Sequence, residues 1–317
     1  QMTNSSVQTK RPTRYVLLYS AVTAVLVGLL LRSVDSEKLV AAFQNSHIGL
    51  FSLATLCGIG QSCFMARRWQ LMMRKDGIVT PYWPVLVSYT ESMFFSLFLP
   101  SAVGGDLYRG AKANRDYKSA ARTATGLLVE RLVGIWGVCL LGVIGLVMGN
   151  PSPEVRSAFF ILLFGVVGAC VAIFWGGKGI SRLLDRLGLD GLAVKISMLA
   201  SQSRGYFSSL RLFTRLVLYS MIAQLLGVTS IYLVGCSLDI ELSYFFYLTT
   251  MPLVWVLSLM PALGGLGPRE AGLFFALTSA DVGPAPAVAV GVLLYATMLL
   301  RGLFGGLLFA ARKIILT

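Results

Sequence analysis

Long apolar stretches dominate this 317-residue chain and constrain its fold more than any motif does. A helix needs roughly 20 consecutive apolar residues to cross the hydrocarbon core of a bilayer, whereas membrane barrels use shorter strands that alternate apolar and polar residues. The stretches here are continuous and rich in Leu, Val, Gly and Ala. Only 13% of the residues are charged, against about 25% in soluble domains. The sequence therefore predicts an all-α membrane protein.

Six of these stretches are predicted to cross the membrane completely. Each is apolar and ends near charged residues or a proline. The first should be retained as a helix, because it is long for a signal peptide and no small-residue cleavage site follows it. The six predicted spans are residues 15–31, 47–66, 123–149, 157–176, 216–236 and 286–311.

Two further apolar segments, 84–99 and 244–280, are interrupted or ended by proline and glycine. Lysine and arginine concentrate in the cytoplasmic loops of membrane proteins. The whole chain obeys this rule only if segment 84–99 enters and leaves the bilayer on the cytoplasmic side and segment 244–280 does so on the outer side. The sequence therefore predicts two oppositely oriented re-entrant hairpins, with both termini on the cytoplasmic side of the inner membrane.

The two predicted hairpins share a pattern of proline, small residues, a glycine pair and then charge. Pro100 precedes Gly104-Gly105 in the first, and Pro261 precedes Gly264-Gly265 in the second. Because the hairpins point in opposite directions, we predict an inverted repeat. Transporters built on this plan bind their substrate near the membrane midplane, where the broken helices meet.

The predicted organisation is a single integral membrane domain over residues 15–317, after a cytoplasmic tail of residues 1–14. Within the domain, residues 84–119 form the first hairpin region and residues 243–283 the second. Residues 178–215 are basic and of mixed polarity, which is typical of amphipathic helices on the membrane surface.

Arginines and glycines around the two breaks are the candidate binding residues. Charges at membrane depth are costly and normally face a cavity or a partner, and the planar fork of arginine matches phosphate oxygens. Glycine lets a ligand approach the backbone, and a helix that begins near Pro268 presents free N–H groups to an anion. The candidate lipid-phosphate ligands are Arg109, Arg131, Arg269, Gly104, Gly105, Gly264, Gly265 and Gly267.

Three acids lie beside these arginines: Asp106, Glu130 and Glu270. One interpretation is internal ion pairing that locks the hairpins, and the other is a role in coupling proton movement. The sequence leaves open whether the arginines bind lipid or pair within the protein. It also leaves open a purely structural role for the glycine pairs as tight turns.

Several classes of chemistry are not expected. The net charge of +13 lies mainly in short loops, which favours anionic lipid headgroups over nucleic acid as partners. The five cysteines lie in apolar stretches without a CxxC pair, and His47 is the only histidine. We therefore expect no metal site, no cofactor and no catalytic residue set of the serine-hydrolase type.

Three blocks of residues resemble the flippase-like family that contains the transmembrane region of lysylphosphatidylglycerol synthases. The blocks are Leu99 to Arg109, Glu130-Arg131 with Gly134, and Pro261 to Glu270, while Ser96 stands where family members often have asparagine. The resemblance covers nearly the whole chain from about residue 15. It implies a module that moves lipid between leaflets, with a phospholipid, a polyprenyl-phosphate sugar or a hopanoid-related lipid as cargo.

The resemblance implies alternating access: a headgroup phosphate meets Arg109, Arg131 and Arg269 while one repeat rocks against the other. In bifunctional synthases a separate soluble domain makes the aminoacylated lipid. This sequence contains no such domain, so we expect no aminoacyl transfer from it. Two alternatives remain: a membrane-embedded lipid-phosphate or sugar transferase that uses Asp106 or Glu270, and a scaffold for lipid-synthesis enzymes. Those enzymes, or a second copy of the chain, are the protein partners left open.

Overall fold

The computed structural model of the chain describes residues 46–98, 104–117, 120–149, 151–174, 208–258 and 267–316, with isolated positions between 37 and 44 and between 182 and 206. These parts of the chain are helical and contain no strand, as the sequence predicts. Their helices are α1 (Ile48–Lys75), α2 (Tyr82–Phe98), α3 (Gly104–Tyr117), α4 (Ala120–Gly149), α5 (Pro153–Phe174), α6 (Leu210–Ser237), α7 (Tyr244–Leu257), α8 (Pro268–Thr278) and α9 (Pro284–Leu316).

Four helices in the described parts are long and apolar enough to cross a membrane: α1, α4, α6 and α9. Each apolar segment has 28 or 29 residues. At a rise of 1.5 Å per residue this gives about 42 Å, which exceeds the roughly 30 Å of hydrocarbon in a bilayer. The predicted span 157–176 corresponds to α5, and the predicted span 15–31 lies outside the described residues. The count of six spans stays a prediction.

Helix α1 continues about two turns beyond the predicted end of its span at residue 66. The residues after position 66 include no proline or glycine until Gly77, which takes a φ of +87° and ends the helix region. The arginine pair at 67–68, which follows the predicted span, is therefore helical. This extension carries Arg68 into the protein interior.

The longest contact in the bundle is an antiparallel pairing of α1 with α6. At one end the backbone N–H of His47 donates to the carbonyl of Ser237 (2.9 Å). Further along, Ser230 Oγ donates to the carbonyl of Ala54 (2.8 Å). Both helices have 28 residues and contact along most of their length, and α2, α4, α7 and α9 pack on this pair.

Small residues allow two other long helices to approach their neighbours closely. A Cβ added at Gly145 of α4 would lie 2.7 Å from Leu248 Cβ of α7. A Cβ added at Gly306 of α9 would lie 2.6 Å from the Phe94 ring of α2. Since real Cβ atoms do not approach so closely, only glycine permits these helix separations.

The shorter helices form two contacting pairs, α2 with α3 and α7 with α8. The first pair is antiparallel, because Phe95 stacks on Tyr108 with ring centroids 4.3 Å apart while Glu91, one turn earlier, meets Lys112, one turn later. In the second pair Gly272 of α8 lies against α7 near Leu257. Gly104 and Gly105, predicted to lie in the first turn, are instead the first residues of α3, whereas residues 99–103 and the second pair, Gly264-Gly265, lie outside the described residues.

The packing partners of α1–α4 correspond to those of α6–α9. Helix α2 packs on α9, and α7 packs on α4. Helix α3 packs on α4, and α8 packs on α9. Likewise α1 contacts α9, and α6 contacts α4. If α1, α2, α3 and α4 are exchanged with α6, α7, α8 and α9 in that order, each of these contacts becomes another contact of the same set.

Buried apolar side chains form two clusters on either side of the polar interior. One contains Val228, Tyr247 and Leu277 and joins α6, α7, α8 and α9. The other contains Trp69 and Val129 and joins the end of α1 to α2, α3, α4 and the start of α6. Within a bilayer these side chains stabilise the bundle by van der Waals packing, because the surrounding lipid is as apolar as they are.

Candidate functional site

Five charged side chains from α1, α3 and α4 meet inside the bundle, and we call them the charged cluster. Arg68 Nη2 lies 3.2 Å from Glu130 Oε1, and Arg109 Nη1 lies 2.9 Å from Glu130 Oε2. Asp106 pairs with Arg109 and also accepts a hydrogen bond from Arg131 Nε (2.8 Å). The signs alternate along the row Arg68, Glu130, Arg109, Asp106, Arg131. Three of these side chains, at positions 68, 109 and 130, are at most 5% exposed.

Arg109 occupies the middle of the charged cluster. It lies one turn beyond Asp106 on α3, so the two side chains project from the same helix face. Its guanidinium lies over the Tyr89 ring at 4.3 Å and near the Trp69 ring at 5.3 Å. Cation–π contacts of this kind contribute about 2 kcal/mol or more when the cation is desolvated. The ring faces and the two carboxylates together compensate the burial of this charge.

Arg68 joins the charged cluster to α6. Its Nη1 donates to Ser220 Oγ (2.9 Å), and that hydroxyl donates in turn to the carbonyl of Val133 on α4 (3.0 Å). Helices α1, α4 and α6 are thus held together by polar contacts at one level of the bundle. Arg68 was not among the predicted site residues, because it follows Arg67 at the end of an apolar run and resembles an ordinary cytoplasmic charge.

The second group of charges lies at the start of α8. Gly267 has a φ of +97°, which favours glycine, and Pro268 begins the helix as predicted. The N–H of Gly267 donates to Glu270 Oε2 (2.8 Å), and Arg269 Nε donates to Glu270 Oε1 (2.9 Å). The carboxylate of Glu270 therefore takes the position at this helix N-terminus where an external anion was predicted.

Arg301 on α9 is a further described arginine inside an apolar helix. Its Nη1 donates to the carbonyl of Gly58 on α1 (3.0 Å), and its Nε donates to the carbonyl of Thr297 one turn back on α9 (3.2 Å). Among the described residues no carboxylate lies within ion-pair distance of it. Arg301 lies inside the predicted span 286–311 and was not among the candidate binding residues.

Two adjoining cavities of about 270 Å³ each connect these groups. The first is lined by the charged cluster with Tyr89 and Gly105, and the second by Arg269 and Arg301. We call the two together the central cavity. They share lining residues from α1, α2, α7, the residue after α7, and α9, namely Gln61, Ser96, Trp255, Ser258 and Met298. The structure thus brings the three predicted arginines to one cavity that lies between the two short helix pairs.

The described charges around the central cavity do not cancel. They comprise three carboxylates, which are Asp106, Glu130 and Glu270, and five arginines. The arginines are those at positions 68, 109, 131, 269 and 301. These described side chains therefore leave an excess of two positive charges within apolar helices, where an unbalanced charge normally has a functional partner.

The predicted glycine ligands have different positions. Gly105 lines the central cavity, and a Cβ there would lie 2.6 Å from the carbonyl oxygen of Ser92, so glycine allows α3 to approach α2. Gly104 begins α3, and Gly267 caps α8. Gly264 and Gly265 lie outside the described residues. A role of any of these backbone groups in lipid binding stays a prediction.

Glu91 is a second charged residue that the sequence analysis missed. Its side chain is 1% exposed, and its Oε2 accepts from Tyr108 Oη (2.7 Å) and Lys112 Nζ (2.8 Å). A further cavity of about 270 Å³ beside it is lined by Lys112, Arg312 and Arg109, and we call it the basic pocket. Because Arg109 lines both this pocket and the central cavity, its side chain separates them. An isolated acid within an apolar segment was the available signal for Glu91.

Comparison with known families agrees with the resemblance seen in the sequence. A family model described as the lysylphosphatidylglycerol synthase transmembrane region matches residues 16–305. The chain belongs to this family. Together with the four long apolar helices, membership identifies it as an integral membrane protein. A search of curated protein sequences found no significant match.

The residues that carry the resemblance to the lysylphosphatidylglycerol synthase transmembrane family include most of the charged cluster. The sequence blocks that carry the resemblance supply Asp106, Arg109, Glu130 and Arg131 to the cluster and Arg269 and Glu270 to α8. Residues from separate blocks, 25 positions apart in the case of Asp106 and Arg131, thus contact each other directly. The family resemblance is therefore concentrated around the central cavity.

Proposed function

We propose that this protein translocates an anionic lipid, either a phospholipid or a polyprenyl-phosphate-linked lipid, between the leaflets of the cytoplasmic membrane by alternating access. The observation that carries the proposal is the excess positive charge of the central cavity, which lies between two short helix pairs inside a membrane bundle. A lipid phosphate would supply the missing negative charge. Its hydrocarbon chains would remain in the bilayer.

The arrangement of acids suits a reversible anion site. Carboxylate and phosphate oxygens accept the same charge-assisted hydrogen bonds from arginine. A phosphate that enters the cavity can therefore replace Asp106 as the partner of Arg131, or Glu270 as the partner of Arg269, with little change in the number of bonds. Such an exchange keeps binding moderate, and a transporter must release its cargo as readily as it captures it.

The correspondence of helix contacts supports an inverted repeat made of α1–α4 and α6–α9. In this proposal α2/α3 and α7/α8 are the two re-entrant hairpins, and the antiparallel α1–α6 pair lies on the axis that relates the units. Rocking of one unit against the other would open the central cavity to each leaflet in turn. Both termini, and the basic pocket beside Lys112 and Arg312, would face the cytoplasm.

Transport is favoured over group transfer by the engagement of the acids. Asp106, Glu130 and Glu270 each contact at least one arginine, so ion pairing accounts for their positions without a catalytic role. A transferase needs such a group within hydrogen-bond reach of the reacting atom.

The test is a leaflet-exchange assay in proteoliposomes that contain fluorescent phosphatidylglycerol, phosphatidylcholine or polyprenyl phosphate. We expect the protein to accelerate exchange of one or both anionic probes over empty vesicles, with much less effect on phosphatidylcholine. Mass spectrometry of the recovered lipid checks for chemical change. Conversion of a probe without exchange would instead identify a lipid-modifying enzyme, and neither exchange nor conversion would favour a scaffold.

A further inference from the structure

A groove on the outer surface of the bundle is separate from the central cavity but adjoins it. It has a volume of about 430 Å³ and lies between α1, α2 and α9. Its walls are mostly apolar, with Ile59, Leu86, Val87 and Leu300 among them. The volume falls within the range of about 300–1,000 Å³ that is typical of sites for small molecules.

The groove opens sideways, toward the surroundings of the helices. Ile59, Trp83, Leu300 and Phe304 along its margin are between 46% and 69% exposed. Two of its three walls, α1 and α9, are among the helices long enough to cross a membrane. Exposed apolar side chains on such helices face the hydrocarbon of the bilayer. In a bilayer the groove therefore opens toward lipid chains.

Arg301 lies where the groove and the central cavity adjoin, since it lines both. Gly58 of α1 makes this position possible, because a Cβ there would lie 2.8 Å from the Arg301 guanidinium carbon. The guanidinium donates to backbone carbonyls, and no described carboxylate pairs with it. A cation held at this depth without an acid is stabilised when an anion binds beside it.

We propose that the groove holds one hydrocarbon chain of an anionic lipid while Arg301 binds the phosphate of the same molecule at the groove's inner end. The apolar walls match the chain, the cation matches the headgroup, and the opening to the bilayer lets the lipid enter without leaving the membrane. The inference rests on the proposed function for the identity of the cargo. It adds the route and the residues by which the lipid is captured.

The test is photo-crosslinking of purified protein with phosphatidylglycerol that carries a diazirine on one acyl chain, followed by peptide mapping. Adducts should concentrate on the groove walls, within residues 55–63, 83–93 and 300–308. Val87→Trp fills the groove and should lower these adducts at least fivefold. Val143→Trp, at an exposed position on α4 away from the groove, is the matched control and should leave them unchanged.

The charge is tested with Arg301→Met, which removes the cation and keeps most of the side-chain volume. On the wild-type protein, unlabelled phosphatidylglycerol should compete with the probe better than unlabelled phosphatidylcholine does. Arg301→Met should lower this preference about tenfold, which corresponds to the loss of one charge-assisted hydrogen bond. Arg301→Lys should retain most of the preference and controls for folding. Arg211→Met, at an exposed position at the start of α6, should have no effect.

Three outcomes would overturn the inference. The first is that adducts spread evenly over α4 and α5, and the second is that Val87→Trp does not reduce the adducts at the groove. The third is displacement of the probe by inorganic phosphate alone, which would identify a site for free phosphate.

Failure of this inference is distinguishable from failure of the proposed function. Groove adducts without leaflet exchange would reject transport alone, whereas exchange that survives Val87→Trp with adducts elsewhere would reject the groove alone.

Discussion

Arg109 Nη1 lies 2.9 Å from Glu130 Oε2, and the two side chains are only 5% and 3% exposed. Glu130 also contacts Arg68 through its other oxygen, so one carboxylate compensates two buried guanidinium groups. Removing one partner of a buried ion pair leaves an uncompensated charge, which is more destabilising than the pair itself is stabilising. This contact therefore links the integrity of the bundle to the charge of its cavity.

Glu130→Gln should destabilise the protein by about 3–5 kcal/mol, because Arg68 and Arg109 lose their shared carboxylate while remaining buried. The measurement is unfolding in mixed micelles under increasing denaturant. Glu241→Gln, at an exposed position before α7, is the control and should change stability by less than about 0.5 kcal/mol. Equal stability of the two variants would contradict the assignment of Glu130 to the buried cluster.

Gly145→Val should weaken the contact between α4 and α7. The added side chain would begin 2.7 Å from Leu248 Cβ, so the helices must separate. Overpacking of this kind costs about 1–3 kcal/mol. Gly165→Val on α5 is the matched control, since a Cβ there meets nothing within 4 Å. Thermal unfolding followed by circular dichroism measures both, and an unchanged midpoint for the first variant would show that the helices do not approach this closely.

The proposed rocking motion can be tested with a crosslink across the central cavity. Ser96 on α2 and Ser258 at the end of α7 both line its two parts. In a cysteine-free background, the double variant Ser96→Cys/Ser258→Cys treated with a short bifunctional maleimide should lose leaflet exchange. Each single variant, treated in the same way, controls for obstruction of the cavity. Exchange that continues in the crosslinked double variant would exclude relative motion of the two units.

Much of the fold could be predicted from the sequence because apolar length and local signals determine helices directly. The prediction of a helix start near Pro268 is confirmed, and α4 begins three residues before the predicted residue 123. Proline fixes the backbone angle needed in a first helical turn, so this signal is local and strong. The three arginines predicted at one site do line a common cavity.

The partners within the site could not be predicted in the same way. Arg67 and Arg68 are neighbours in sequence, but successive helix positions differ by about 100° around the axis. Arg67 is therefore partly exposed, whereas Arg68 is buried against Ser220 of α6. Which acid meets which arginine depends on how α3 packs on α4, a tertiary contact that no spacing along the chain encodes. The pairing of Glu91 with Lys112 could not be predicted for the same reason, because it depends on how α2 packs on α3.

The measurement that tests the central claim most directly is the rate of phosphatidylglycerol exchange between leaflets for Arg131→Gln against Arg211→Gln. Arg131 lines the central cavity and is 24% exposed, so its loss perturbs folding less than loss of Arg109. Both variants remove one positive charge, but Arg211 is exposed at the start of α6. If the cavity arginines bind the lipid phosphate, exchange should fall about tenfold or more in Arg131→Gln and remain at the wild-type rate in Arg211→Gln. Equal rates in folded samples of both variants and the wild type would contradict it.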